Sequence, residues 1–179
     1  MADVYRMKIA GLERELPLCA INNQIDIAAF IIFGDVELTV AASKELLKKC
    51  PEFDIIITPE AKSIPLAYEM ARQSNKPYVV ARKSKKLYMR DPLGVKVKSI
   101  TTAHEQELYI SADDVKLLKG SRVLIVDDVI STGESLMAVE ELVNRAGGNI
   151  VGSCAILAEG DAAKRTDIIF LEPLPLFTK

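Results

Sequence analysis

The chain alternates between short, almost wholly apolar runs and longer stretches in which apolar residues return every three or four positions. Residues 54–58 (DIIIT), 77–81 (PYVVA), 123–126 (VLIV) and 150–157 (IVGSCAIL) are of the first kind. Runs this short and this rich in β-branched residues read as strands buried on both faces. The second kind covers residues 36–49, stopped by Pro51, then residues 64–73. A third helical stretch starts near Ser135, carries Leu136, Val139, Leu142 and Val143, and stops at Gly147-Gly148. Their spacing and breakers predict helices. Apolar strands alternating with helices predict an α/β fold, a parallel sheet covered on both faces.

The flanks are less regular. Residues 1–23 read as irregular apart from an amphipathic piece at 4–9, with a break at Pro17. Ile21, Ile25 and Ile27 give them apolar anchors, so a small N-terminal subdomain is expected. Residues 28–33 form another apolar run, closed by Gly34-Asp35. The basic stretch 82–90 opens a region of low order that ends in residues 95–99, and residues 108–110 alternate like a strand. Residues 150–157 are expected to be the last central strand, because Pro173 and Pro175 argue against a regular element in the tail.

Ligands of parallel α/β sheets bind beyond the carboxyl ends of the strands. Three loops lie at such ends: residues 59–63, 82–86 and 127–135. The last follows a buried strand and reads DDVISTGES. A strand, a small hydroxylated loop and a helix N-terminus make a phosphate seat, since the first helical N–H groups lack internal partners and the macrodipole favours an anion. Ser131, Thr132 and Ser135 add hydroxyls, and Gly133 is free to take positive φ. Asp127 and Asp128 suit a second task, accepting hydrogen bonds from a diol such as ribose. No Gly-Lys-Ser/Thr follows, so this is not a Walker loop. A two-component receiver also carries paired acids, but near its start, and only about fifty residues follow them here.

Composition narrows the classes. The chain has 179 residues and a net charge of −2, which suits one domain and gives no broad nucleic-acid footprint. Its three cysteines, Cys19, Cys50 and Cys154, are scattered and read as free thiols of a reducing compartment. No stretch has signal-peptide or transmembrane length, so a cytoplasmic protein is expected. No His/Cys/carboxylate spacing predicts a protein-only metal cage.

The segment VLIVDDVISTGES resembles the phosphoribosyl-pyrophosphate (PRPP) signature of the type I phosphoribosyltransferases, with Glu134 where the family commonly has a second glycine. The resemblance implies a three-layer fold: a central parallel sheet with helices on both faces, and a small hood from the N- and C-terminal segments. It implies a single domain, with a core at about residues 28–157 and a hood from about residues 1–27 and 158–179. It implies transfer of the phosphoribosyl group of PRPP to a purine base, with pyrophosphate leaving and Mg²⁺ bound through PRPP. In these terms Asp127 and Asp128 are the catalytic acids, and Ser131, Thr132, Gly133, Glu134 and Ser135 hold the 5′-phosphate. Residues 58–64 resemble the family's pyrophosphate loop, written Glu-Ala-Arg-Gly in adenine enzymes and Glu60-Ala61-Lys62-Ser63 here. That loop often holds a cis peptide in the family. Arg82, Lys83 and Lys86 resemble a basic segment that contacts pyrophosphate, sometimes across a homodimer. Residues 98–110 resemble the mobile hood loop. Thr102 falls where adenine enzymes carry a Glu, with Glu105 and Glu107 close by, and His104 reads as a loop residue.

The base is read from three places. Val129 is expected to lie under it. Asn22 begins a segment, Asn22-Asn23-Gln24-Ile25-Asp26, similar to the base-recognition segment of xanthine enzymes, whereas Ile32-Phe33-Gly34-Asp35 is similar to that of adenine enzymes. Glu159 stands where enzymes for 6-oxopurines place a lysine. An ionised carboxylate accepts and cannot donate, so it favours the 6-amino group of adenine. A xanthine or other 6-oxopurine enzyme, and a PRPP-sensing regulator on the same fold, are the alternatives. About 25 residues ahead of the core leave no room for a winged helix, which argues against the regulator.

Overall fold

The computed structural model describes residues 3–98 and 105–178. In chain order the elements are β1 (Val4–Ile9), β2 (Leu12–Ala20), β3 (Ile25–Ala28), α1 (Val36–Lys49), β4 (Ile55–Pro59), α2 (Ile64–Ser74), β5 (Tyr78–Ala81), β6 (Leu93–Lys98), β7 (Glu105–Ile110), α3 (Ala112–Leu118), β8 (Arg122–Ile130), α4 (Glu134–Ala146) and β9 (Asn149–Glu159). A 3-10 turn (Gly160–Lys164), β10 (Ile169–Leu174) and β11 (Leu176–Thr178) complete the chain.

Five strands form the central sheet in the order β10-β9-β8-β4-β5, and every pairing in it is parallel. Successive side chains of a strand point to opposite faces, and the apolar runs use both. Ile56, Leu124, Val126, Cys154 and Ile156 pack with Leu38, Ala42 and Leu46 of α1 and Leu66, Ala67 and Met70 of α2. Ile55, Ile57, Val123, Ile125 and Ala155 pack on the other face with Leu118 of α3 and with Leu136, Val139, Leu142 and Val143 of α4. The expected three-layer α/β architecture is therefore the observed one. The β6–β7 hairpin closes the α4 side through Val95, Leu108 and Ile110.

The N-terminal residues are more regular than expected. β1, β2, β3 and β11 form an antiparallel sheet, with a tight turn at Ala10-Gly11, where φ is 50° and 84°. Pro17 does not break it, because it sits at the last pair of the β1–β2 ladder, opposite Val4. The tail is also regular. β10 is an edge strand, where a proline such as Pro173 is tolerated. β9 is thus not the last central strand. Pro175 lies between β10 in the central sheet and β11 in the antiparallel one, so it marks the change of sheet. Cys50 and Cys154, remote in sequence, belong to the same core cluster, in which the end of α1 packs near β9. No helix among the described residues is long and apolar enough to cross a membrane.

Candidate active site

Beyond the carboxyl ends of β4 and β8 lies a cavity of about 330 Å³, lined by Pro59 to Ser63, Lys83, Gln106 and Asp127 to Leu136. Two of the three loops singled out from the sequence meet there, and Lys83 brings in the third.

The acid pair is not beyond the strand but within it, since β8 runs on to Ile130. Asp128 is 4% exposed and Asp127 is half-buried. The Asp128 N–H donates to Asp127 Oδ1 at 2.9 Å. Burial, and then the charge of Asp128, push the Asp127 carboxyl up to about 8. Asp128 Oδ2 is buried without a hydrogen bond, although the Lys62 ammonium stands 3.3 Å from it. The site thus concentrates acceptor capacity that the protein itself leaves unused.

The 131–135 loop is shaped by Gly133, which takes φ +83° as the N-cap of α4. No side chain caps this helix, and its first internal bond runs from the Met137 N–H to the Gly133 carbonyl. Ser131, Thr132, Gly133, Glu134 and Ser135 all face the cavity. Ser135 Oγ lies 3.2 Å from Gln106 Oε1, so the β7 strand is tied to the loop. Gln106 was not legible as a site residue, since nothing in a lone glutamine of a polar strand marks it.

The 59–63 loop contains a cis peptide between Glu60 and Ala61. Glu60, expected at the pyrophosphate, lines the cavity and accepts from Arg82 Nε and from the Lys83 N–H, both at 3.0 Å. That pairing holds the Glu60 carboxyl below its ordinary range, the Arg82 hydrogen bond contributing most. A carboxylate has no donor for an anion, so its work here is to fix the start of the basic run. Ser63 is also turned inward. Its hydroxyl lies 2.7 Å from that of Thr58 and 2.9 Å from the Pro59 carbonyl, while Thr58 Oγ1 lies 2.8 Å from the carbonyl of Val126. This buried ladder joins the loop to the residue before Asp127.

Four residues expected in the site do not line the cavity. Arg82 is held by Glu60 and contacts the hydroxyl of Tyr88. Lys86 donates to Ser84 Oγ at 2.7 Å. Asn22 is exposed and uses Oδ1 to accept the N–H groups of Gln24 and Ile25, which shapes the turn between β2 and β3. Glu159 ends β9, two residues past Leu157, the strand partner of Val129. Burial raises its carboxyl above the ordinary range, and the charge of Lys62 opposes the rise. Val129 is in the cavity wall. Glu107 is committed to Tyr109 and Lys96. Thr102 and His104 lie outside the described residues, as does the side chain of Glu105.

Residues 35–173 match the family described as "Phosphoribosyl transferase domain". The chain is 32% identical over 140 residues to an adenine phosphoribosyltransferase of Kosmotoga olearia, which covers 78% of this chain and 74% of that protein. It is 34% identical over 134 residues to a hypoxanthine/guanine phosphoribosyltransferase of Methanococcus voltae, covering 75% of this chain and 68% of that one. Among solved structures, adenine phosphoribosyltransferase of Rhodothermus marinus shares the fold with a TM-score of 0.68 at 21% identity, over 96% of this chain and 94% of the other.

Proposed function

The chain belongs to the phosphoribosyltransferase family, and from that membership we propose that it transfers the phosphoribosyl group of PRPP to a purine base, adenine by preference. The products are the nucleoside monophosphate and pyrophosphate, and the setting is purine salvage in the cytoplasm. The observation that carries the reading is the single cavity that unites the acid pair, the uncapped N-terminus of α4 and the 59–63 loop.

In this reading the N-terminal turn of α4 and the hydroxyls of Ser131, Thr132 and Ser135 hold the 5′-phosphate. Asp127 and Asp128 accept from the ribose hydroxyls, and their charge favours the positive sugar of an oxocarbenium-like transition state. Lys62 and Lys83 receive the pyrophosphate, with Ala61 and Ser63 presenting backbone. Glu60 and Arg82 hold the basic segment against the loop. The chemistry then rests on fixed geometry and on charge placed before the reaction starts. Paired carboxylates fit a hard cation, which takes oxygen ligands, but a pair is not a cage. Asp127 and Asp128 therefore suit Mg²⁺ that arrives on the oxygens of PRPP. Bound there, Mg²⁺ supplies neutralising charge to the leaving pyrophosphate.

Glu159 supports adenine. It stands past the strand partner of Val129; burial raises its carboxyl, the charge of Lys62 opposes that rise, and in its ionised form it accepts without donating. The 6-oxopurine reading draws on the name of the Methanococcus voltae relative. A homodimer in which the basic run reaches its neighbour is supported by Leu87 and Tyr88, both exposed within that run. The test is a panel of adenine, hypoxanthine, guanine and xanthine with PRPP and Mg²⁺, read by nucleotide formation. Adenine is expected to give the highest kcat/KM. Higher efficiency with xanthine would transfer the base assignment to the Asn22 segment, and no nucleotide from any purine would refute the reaction.

A further inference from the structure

The 5′-phosphate loop, Ser131 to Ser135, contains no cationic side chain, and its one ionisable group, Glu134, is acidic. A phosphomonoester seated there would be a dianion in a loop that brings no cation of its own. The remedy lies some thirty residues further along the chain, directly against the loop. Arg165 follows the 3-10 turn after β9, and its guanidinium packs on the α-carbon of Gly133. A Cβ built on Gly133 would stand 2.8 Å from Arg165 Nη1. Gly133 is thus required twice, for its positive φ and for the room it leaves this cation.

The guanidinium is held in place by Asp167, which accepts from Nε at 2.9 Å and from Nη2 at 2.7 Å. This two-point pairing fixes the plane of the group. It leaves Nη1, with two N–H donors, without a hydrogen bond among the described residues, and Nη1 is the atom against Gly133. The pair is unevenly solvated. The Arg165 side chain is 32% exposed and that of Asp167 is 68% exposed. The guanidinium is the less solvated charge of the pair and the one that lies against Gly133, while Asp167 and Glu140 are the carboxylates whose charges act on it.

We propose that Arg165 is the counter-charge of the 5′-phosphate seat, a positioning residue that braces Gly133 and compensates the dianion from outside the loop. The inference rests on the function proposed above. It adds a residue on the 3-10 side of the site to the loop that the signature marks.

The test is calorimetric titration of wild-type, Arg165→Gln and Arg165→Lys proteins with ribose 5-phosphate and, separately, with pyrophosphate. Steady-state KM values for PRPP and base accompany the titrations, and Arg165→Met is a second neutral variant should the glutamine one not fold. Loss of one charge-assisted contact predicts that Arg165→Gln binds ribose 5-phosphate about tenfold more weakly. Pyrophosphate binding and the KM of the base should stay unchanged, and Arg165→Lys should recover most of the loss. The KM for PRPP should rise with kcat little altered, and its salt dependence should flatten. Unchanged ribose 5-phosphate binding overturns the proposal. So does an equal loss for both anions, which would mean general damage to the site. A wild-type protein that does not bind ribose 5-phosphate overturns the phosphate seat and Arg165 together. Arg165-dependent binding without nucleotide formation from any base refutes the reaction and leaves this role standing.

Discussion

Asp127→Asn should abolish turnover and yet make the unliganded protein more stable. Unfolded, Asp127 loses its proton near 3.8; in the fold it holds it until about 8, because burial and the charge of Asp128 oppose ionisation. Between those values the unfolded chain binds fewer protons than the folded one, so stability falls as pH rises through that window. Above pH 8 the cost is complete. At about 1.4 kcal/mol per pKa unit the shift corresponds to an upper bound of about 6 kcal/mol. The residue keeps some solvent access and Asp128 beside it bears part of the same repulsion, so about 1–2 kcal/mol is the figure to expect. For a chain of this size that is an increase in Tm of about 3–6 °C. Asparagine keeps the Oδ1 that accepts the Asp128 N–H, so the local bond survives the change. Thermal melts of both proteins from pH 5 to pH 9 test the argument. The gap should be small at pH 5 and reach its full size near pH 9. A gap independent of pH, or a less stable asparagine variant at pH 9, would refute it. Saturating PRPP with Mg²⁺ should stabilise the wild type and close the gap, because the ligand supplies what the acids lack.

Thr58→Val removes the hydroxyl that links the 59–63 loop to the Val126 carbonyl; chemical denaturation should show a loss of about 1–3 kcal/mol, with a raised KM for PRPP. Asp35→Ala removes the N-cap of α1, which accepts from the Leu38 N–H and from Arg14, and should cost about 1–2 kcal/mol by the same measurement. Arg14 lowers the Asp35 carboxyl, so this contribution is present above the ordinary carboxylate range and is lost as pH falls below it; the two melts should converge in acid. Chelator should stop turnover and added Mg²⁺ restore it, while protein passed through a desalting column without PRPP should carry no stoichiometric metal.

The central sheet was legible because its strands are buried on both faces, which leaves apolar runs that no polar residue interrupts. The N-terminal sheet was not, and β2 shows why. Its inward positions include Arg14 between Leu12 and Leu16, and an arginine there hides the alternation. The fold spends that arginine on Asp35 and Glu37 at the start of α1, where it joins the N-terminal sheet to that helix. The tail misled in another way, because Pro173 excludes a central strand but not an edge one. In the site, the loops could be found from strand ends and composition. Gln106 and Arg165 could not, since each meets the 131–135 loop from a distant stretch of chain.

The helix termini show how position decides what a hydroxyl or carboxyl does. α1 is capped by Asp35 and α3 by Ser111 in a reciprocal box with Asp114. Their N-terminal amides are satisfied by the protein itself. α2 and α4 have no side-chain cap, and theirs are the two N-termini that face the cavity. The sequence supplies suitable groups at both. Ser63 is the N-cap of α2, but its hydroxyl turns to Thr58 and Pro59. Ser131 and Thr132 precede α4, but Gly133 takes the N-cap position. A Ser-Thr-Gly segment is therefore ambiguous until it is known which residue occupies the cap. With glycine there in the left-handed region, the hydroxyls are displaced into the cavity and the helix end is left for an external anion. The same displacement places Gly133 where only a residue without a side chain can meet Arg165.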